Sequence, residues 1–328
     1  INGDAGNDNL RGNEGNDLIS GGTGHDYVAG GTGNDTIFGG DDNDHLDGED
    51  GNDTLYLGNG NDRGNGGNGN DDIRGEDGND TINNGTGHDT VYGGAGNDVI
   101  DDLGGFDSTH EADLIYGDAG NDTMWGSAAG DTMFGGADHD YVRGESGDDR
   151  LSGGTGADTV LGDGGNDIFY VASAAEGHGD HISGGNGPDQ HRDHDILDLR
   201  GAGAVVIHAR ADVSDAGAHT GTVTFANGSV LNFSQIEQIL QDGDGRVDGS
   251  DAGQHMGVGF TDAQGDRITD GNDTIFGNGG HDNIRAGGGD DLVNGGNDDD
   301  YIEGNGGNDT INGDAGNDNL RGNEGNDL

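Results

Sequence analysis

A nine-residue unit constrains this chain more than any other feature. Between residues 21 and 47 it is read three times in succession, GGTGHDYVA GGTGNDTIF GGDDNDHLD, and the same phase runs through most of the 328 residues. In each unit an Asp is, with few exceptions, preceded at two residues by Gly and followed at two residues by an apolar side chain. The first run of these aspartates is Asp8, Asp17, Asp26, Asp35, Asp44, Asp53, Asp62, Asp71, Asp80, Asp89 and Asp98. After an interruption come Asp113, Asp122, Asp131, Asp140, Asp149, Asp158 and Asp167, and a third run holds Asp273, Asp282, Asp291, Asp300, Asp309, Asp318 and Asp327. Twenty-five units at one spacing are a repeat architecture and not a coincidence of composition.

The residue types say what one unit can do. Glycines permit positive φ and let carbonyls turn inward, so the first six positions are expected to form a tight loop. Such a loop offers backbone carbonyls and one carboxylate, the hard oxygen set that calcium prefers over transition metals. The last three positions are expected to be extended, with one inward apolar residue such as Leu10, Ile19, Val28 or Ile37. One such short strand cannot bury its own face, so the units must coil and stack on one another.

The pattern resembles the glycine-rich GGxGxDxUx nonapeptide of the repeats-in-toxin (RTX) family, over roughly two thirds of the chain. The resemblance implies an all-β fold, a right-handed parallel β-roll with two units per coil and calcium between loops stacked on one edge. By position, it makes the twenty-five aspartates the side-chain metal ligands, each shared between stacked turns. Some units depart from the pattern. The fourth-position Gly is replaced by Asp42, Asp138 and Asp298, which tolerate left-handed backbone, and by Glu111 and Ala129, which do not. The inward residue of the Asp62 unit is Gly64. Those sites are expected to hold metal weakly or not at all.

Composition alone points away from a folded chain. Leu, Ile, Val and Phe make up less than a fifth of the residues, and the net charge is −54. The repeat overrides this on one condition. About one calcium per unit would supply roughly 40 to 50 positive charges, close to what the carboxylates need. The chain is therefore expected to be expanded without calcium and compact with it. Dissociation constants of about 10⁻⁴ to 10⁻³ M, usual for extracellular calcium modules, place its working environment outside the cell. The absence of Cys fits a secreted protein crosslinked by metal instead of disulfides. The segment shows no signal peptide, transmembrane run or lipidation motif, and the resemblance implies a C-terminal export signal elsewhere in the protein. So acidic a chain is a poor partner for nucleic acid or anionic membrane, and no direct membrane insertion is expected.

In chain order, residues 1–100 read as roll, 101–112 (DDLGGFDSTHEA) as a loop bulging from one edge, and 113–167 as a second roll segment. Met124, Met133 and Trp125 read as packing or surface contacts. Residues 168–241 read as a compact non-repetitive β insert, from the alternating runs IFYVA, ILDL, AVVIHA, TVTFA and VLNF. Asn227-Gly228 is a hairpin signal, and 234–240 could begin a short helix at Ser234 or extend the sheet. Residues 242–272 read as an acidic linker with irregular loops. There DGDGRVDGSD (242–251) is either a calcium loop or a solvated turn, and Asp262 and Asp266 could line a further loop. The roll resumes over 273–328.

Residues 311–328 are identical to residues 1–18, INGDAGNDNLRGNEGNDL. Variable positions drift everywhere else, so this identity implies one 310-residue period of a longer tandem array whose neighbouring copies would be its partners. Catalytic parts are missing: there is no HExxH, no GxSxG, no Cys nucleophile and no GKS or GKT loop. A cluster of His178, His181, His191 and His194 with Asp180, Asp189, Asp193 and Asp195 reads as a hydrated loop before a transition-metal site. His25, His88, His139 and His281, at the variable fifth position, are expected to face solvent. The expectation is a non-enzymatic, calcium-stabilised segment of an extracellular fibre, adhesin stalk, matrix or surface layer. The alternatives are the calcium-binding region of a secreted RTX enzyme or toxin, or, less favoured, a sugar- or ice-binding module.

Overall fold

A computed structural model describes residues 1–101, 111–185, 193–203, 205–211, 218–241, 247–248, 253–258, 260, 267–269 and 271–328. Among these residues every regular element is a β-strand. They fall into two compact units, Ile1–Leu240 and Gln241–Leu328.

In the first unit successive strands alternate between two sheets. Asn2–Ala5, Leu18–Thr23, Thr36–Asp41 and Thr54–Asn59 open one sheet, and Asn9–Glu14, Tyr27–Thr32, His45–Asp50 and Arg63–Asn68 open the other. Neighbours within a sheet run parallel, and Ile19 pairs with Ile37, which pairs with Leu55. One turn of the chain therefore consumes two nine-residue units, and the turns stack as a parallel β-solenoid.

The strands are longer than the sequence suggests. Leu18–Thr23 is six residues, LISGGT, taking in the first three positions of the following unit, so only three residues turn the corner before Tyr27–Thr32. The expected six-residue loop is corrected to half that length, and the reason is the glycine pair. Gly22 has φ of 113° and pairs with Gly40, while a Cβ on Gly22 would lie 2.2 Å from the Asp4 carbonyl oxygen. Without side chains the two backbones approach closely enough to continue the ladder through the kink.

The inward apolar positions build two facing columns that form one continuous cluster from Ile19 to Ile236. Met124 and Met133 are fully buried in it. Gly64 leaves a gap in one column, and Leu57 fills it. Leu57 stands where most units have their first glycine, is fully buried, and brings Cδ2 to 3.0 Å of where a Gly64 side chain would begin. Leu57→Ala should therefore destabilise the folded protein by about 2–5 kcal/mol, as for other large-to-small changes in a core. The double change Leu57→Gly with Gly64→Leu should recover most of that loss in thermal melts, and failure to recover any of it would refute the exchange.

The interruption after residue 100 does not break the register. Thr90 pairs with Leu114 across 24 residues instead of 18, so the ladder is kept; residues 102–110 lie outside the described residues. Beyond Asp167 the same two sheets continue. Ile168–Tyr170 pairs with Arg150–Thr155 and with Ile196–Leu199, while His181–Ser183 pairs with Thr159–Leu161 and with Val230–Ile236. Two antiparallel strands, Val205–Ala211 and His219–Phe225, then extend the second sheet. Asn227 and Gly228, the latter with φ of 88°, lie in the turn joining His219–Phe225 to Val230–Ile236. Ser234 is in a strand, which resolves the helix-or-sheet alternative for 234–240 in favour of sheet.

The second unit repeats the design with shorter columns. Val247, Met256, Ile268, Ile275, Ile284, Ala286, Val293 and Ile302 are its buried core. Asn283–Gly288, Tyr301–Gly306 and Asn319–Glu324 pair in parallel in one sheet, and Leu292–Asn297 with Thr310–Ala315 in the other. Most of the acidic loop 242–251, with Asp262, Asp266 and Asp270, lies outside the described residues.

Candidate metal centre

Every aspartate singled out by the repeat stands in one of four ladders. The Asp8 N–H donates to Asp26 Oδ1 at 2.7 Å, the Asp26 N–H to Asp44 Oδ1 at 2.8 Å, and the series continues through Asp62, Asp80, Asp98, Asp122, Asp140 and Asp158. The opposite edge carries Asp17, Asp35, Asp53, Asp71, Asp89, Asp113, Asp131, Asp149 and Asp167 in the same way. In the second unit Asp273, Asp291, Asp309 and Asp327 form one edge, and Asp282, Asp300 and Asp318 the other. One carboxylate oxygen of each rung thus ties a turn to the turn before it.

The second oxygen is what calls for a ligand. Oδ2 is buried and takes no hydrogen bond at Asp26, Asp35, Asp44, Asp53, Asp62, Asp71, Asp80 and Asp98, nor at Asp122, Asp140, Asp149, Asp158, Asp167, Asp282, Asp291, Asp300 and Asp309. Beside it is a cradle kept open by the first glycine of the unit. The point where a Gly21 Cβ would sit is 2.4 Å from Asp26 Oδ2 and 2.7 Å from the Gly39 carbonyl oxygen. At Gly48 the corresponding distances are 2.5 Å to Asp53 Oδ2 and 2.3 Å to the Gly66 carbonyl, and at Gly117 they are 2.5 Å to Asp122 Oδ2 and 2.4 Å to the Gly135 carbonyl. Calcium holds oxygens at about 2.3–2.6 Å, and one carboxylate with backbone carbonyls is its kind of donor set.

The electrostatics lead the same way. Burial pushes the carboxyls of Asp53, Asp71, Asp80, Asp122, Asp140, Asp149 and Asp167 up to about 7, and those of Asp44, Asp282 and Asp291 up to about 6. The accepted main-chain N–H offsets part of this rise, and neighbouring carboxylates add to it. Buried negative charges at this density are unfavourable unless protonated or neutralised by a cation.

Some members of the site escape the nine-residue spacing. The Asp158 N–H donates to Asp180 Oδ1 and the Asp167 N–H to Asp195 Oδ1, both at 2.9 Å, so each edge gains one rung. Both carboxyls are buried, Asp180 pushed up to about 7 and Asp195 to about 8. Their signal was the retained Asp-x-apolar triplet, Asp180-His-Ile and Asp195-Ile-Leu, at 22 and 28 residues instead of 18. Glu237 Oε2 then accepts the Asp195 N–H at 2.7 Å, a longer side chain standing in for the next aspartate.

The fifth position is also a ladder. The His25 N–H donates to Asn7 Oδ1, and the Asn34 N–H to Asn16 Oδ1. His25, His139 and His281 are exposed, yet their Nδ1 atoms accept the N–H of Asn43, Ala157 and Asp299 in the following turn. Among the described residues the histidine cluster, read from the sequence first as a hydrated loop, forms no metal centre. His194 Nε2 lies 3.4 Å from Gln238 Oε1, and Asp180 and Asp195 belong to the ladders, while Asp189 and His191 are outside the described residues. Among the described residues no three His, Asp or Glu side chains converge as a metal cluster. The ladder rungs are of another kind, each offering one open carboxylate oxygen beside a backbone carbonyl.

Fold and site together define a parallel β-solenoid whose edges are columns of buried carboxylates suited to hard cations. The chain matches the RTX calcium-binding nonapeptide repeat over residues 2–37, 29–64, 56–91, 65–100, 111–142, 143–173, 268–302 and 294–328, roughly two thirds of its length. It belongs to that family, whose repeats bind calcium and form structural rolls that are not themselves catalytic. No curated protein matches this chain significantly. Among solved structures it is similar to the extracellular lipase LipA from Serratia marcescens, at 18% identity and a TM-score of 0.22, over 66% of this chain and 37% of that one. No helix among the described residues is long and apolar enough to cross a membrane.

Proposed function

We propose that this chain is a calcium-stiffened structural segment of a long extracellular tandem-repeat protein, serving as a fibre, adhesin stalk, matrix or surface-layer component. Calcium held along the columns of repeat aspartates, which Asp180 and Asp195 extend, staples each turn to the next. In the calcium-poor cytosol the sites stay empty, and outside the cell the chain folds and stiffens.

The observation that carries the tandem reading is the eighteen-residue identity between 1–18 and 311–328. The repeat consensus fixes only the glycines, the Asp and the apolar position, so it does not explain matching variable residues over two whole units. A covalent array of near-identical periods does, and neighbouring copies would then be the chain's partners. The test is the mass of the source protein on a denaturing gel in excess chelator. A species far above 33.1 kDa, cut by limited proteolysis in steps of about 310 residues, is expected. A single band near 33 kDa would overturn it, and a catalytic or pore-forming domain joined to a single copy would favour the calcium region of an enzyme or toxin.

A further inference from the structure

At two rungs among the described residues Oδ2 accepts a hydrogen bond, and both rungs follow a break in the repeat. At Asp113, which follows the 101–112 interruption, Oδ2 accepts a hydrogen bond from Asn84 Nδ2 at 2.7 Å. At Asp273, the first repeat aspartate after the acidic linker, Oδ2 accepts the Thr269 N–H at 2.8 Å, and Thr269 Oγ1 lies 3.2 Å from Oδ1.

Asn84 stands at the first position of its unit, where Gly75 and Gly93 stand in the units on either side. At those glycines the open cradle lies 2.5 Å from Asp80 Oδ2 and 2.6 Å from Asp98 Oδ2. Asn84 is instead completely buried, its side chain spans to the next turn of the same edge, and its own Oδ1 is buried without a donor. A side chain with a free oxygen is tolerated there because the amide nitrogen satisfies the Asp113 carboxylate, whose unit has Ser108 in place of the usual first glycine.

We propose that the rung at Asp113 is closed by the Asn84 amide and takes no calcium, and that the rung at Asp273 is closed in the same manner by Thr269. A neutral donor replaces the cation at these two rungs, and the roll resumes in register there without a metal. This rests on calcium occupying the ordinary rungs.

The test is the number of calcium ions per folded chain at saturating calcium, counted by native mass spectrometry for the parent protein, Asn84→Gly and Asn84→Asp. Asn84→Gly restores the repeat residue and should carry at least one calcium more than the parent. Asn84→Asp, close in size, replaces the donor with a ligand and should gain one as well, which decides the matter if the glycine variant loses the parent's circular dichroism spectrum. Equal counts in parent and variants, or a loss showing that the Asn84 oxygen is itself a ligand, would overturn the inference while leaving the calcium reading intact. A parent that binds no calcium would overturn the calcium reading itself.

Discussion

Removing calcium at neutral pH should expand the first unit and the second alike, from stacked turns to a chain with a radius of gyration of about 65 Å, the value for 328 unfolded residues. The cause lies in the ladders. Each turn is held to the next by a short strand pair and a narrow apolar column, and against these stand rows of buried carboxylates within a net charge of −54. An ion that binds only the folded state stabilises it by RT ln(1 + [L]/Kd). At 10 mM calcium and dissociation constants of about 10⁻⁴ to 10⁻³ M, that is about 1.4–2.7 kcal/mol per site. Summed over many rungs this exceeds the stability of an ordinary domain. Small-angle scattering with excess chelator, then with 10 mM calcium restored, checks it; a chain equally compact in both would contradict it.

Acid should partly replace calcium. Asp53, Asp71, Asp80, Asp122, Asp140, Asp149 and Asp167 have folded-state values pushed up to about 7 by burial, against about 3.9 for a free Asp. Between those limits the folded chain binds more protons than the unfolded one, so stability without metal falls as pH rises from about 4 to 7. In chelator the strand content should therefore be greatest near pH 4 and lost towards pH 7. With calcium the dependence reverses, because the metal competes with those protons and its midpoint concentration should rise as pH falls below 7. Circular dichroism titrations at several pH values separate the two regimes. A metal-free chain that gained structure on going from pH 4 to 7 would contradict the burial argument.

The solenoid was legible because its cause is local and repeated. Gly-x-Asp-x-apolar fixes a corner, a rung and a core residue, and twenty-five copies leave no room for another register. What the sequence did not reveal depends on the neighbouring turn. Leu57 looks like a failed glycine until Gly64 is seen facing it, and Asn84 looks like drift until Asp113 lies 2.7 Å away. Asp180 and Asp195 were hidden because insertions stretch their spacing while the turn itself closes as before. The corner proved half as long as expected because paired glycines continue the parallel ladder, which a rule for a single chain cannot anticipate. The fifth-position histidines, unremarkable as exposed residues, are acceptors only because a main-chain N–H from the next turn arrives beside them.

The most direct measurement is equilibrium dialysis of the folded protein against labelled calcium at pH 7.5, with the ions per chain counted at saturation. The ladders predict about one calcium for each rung with an open cradle, close to twenty per chain, taken up together with the gain in strand signal. A count of only a few ions, or strand structure complete before calcium binds, would contradict the claim that these carboxylate columns are built to be filled by metal.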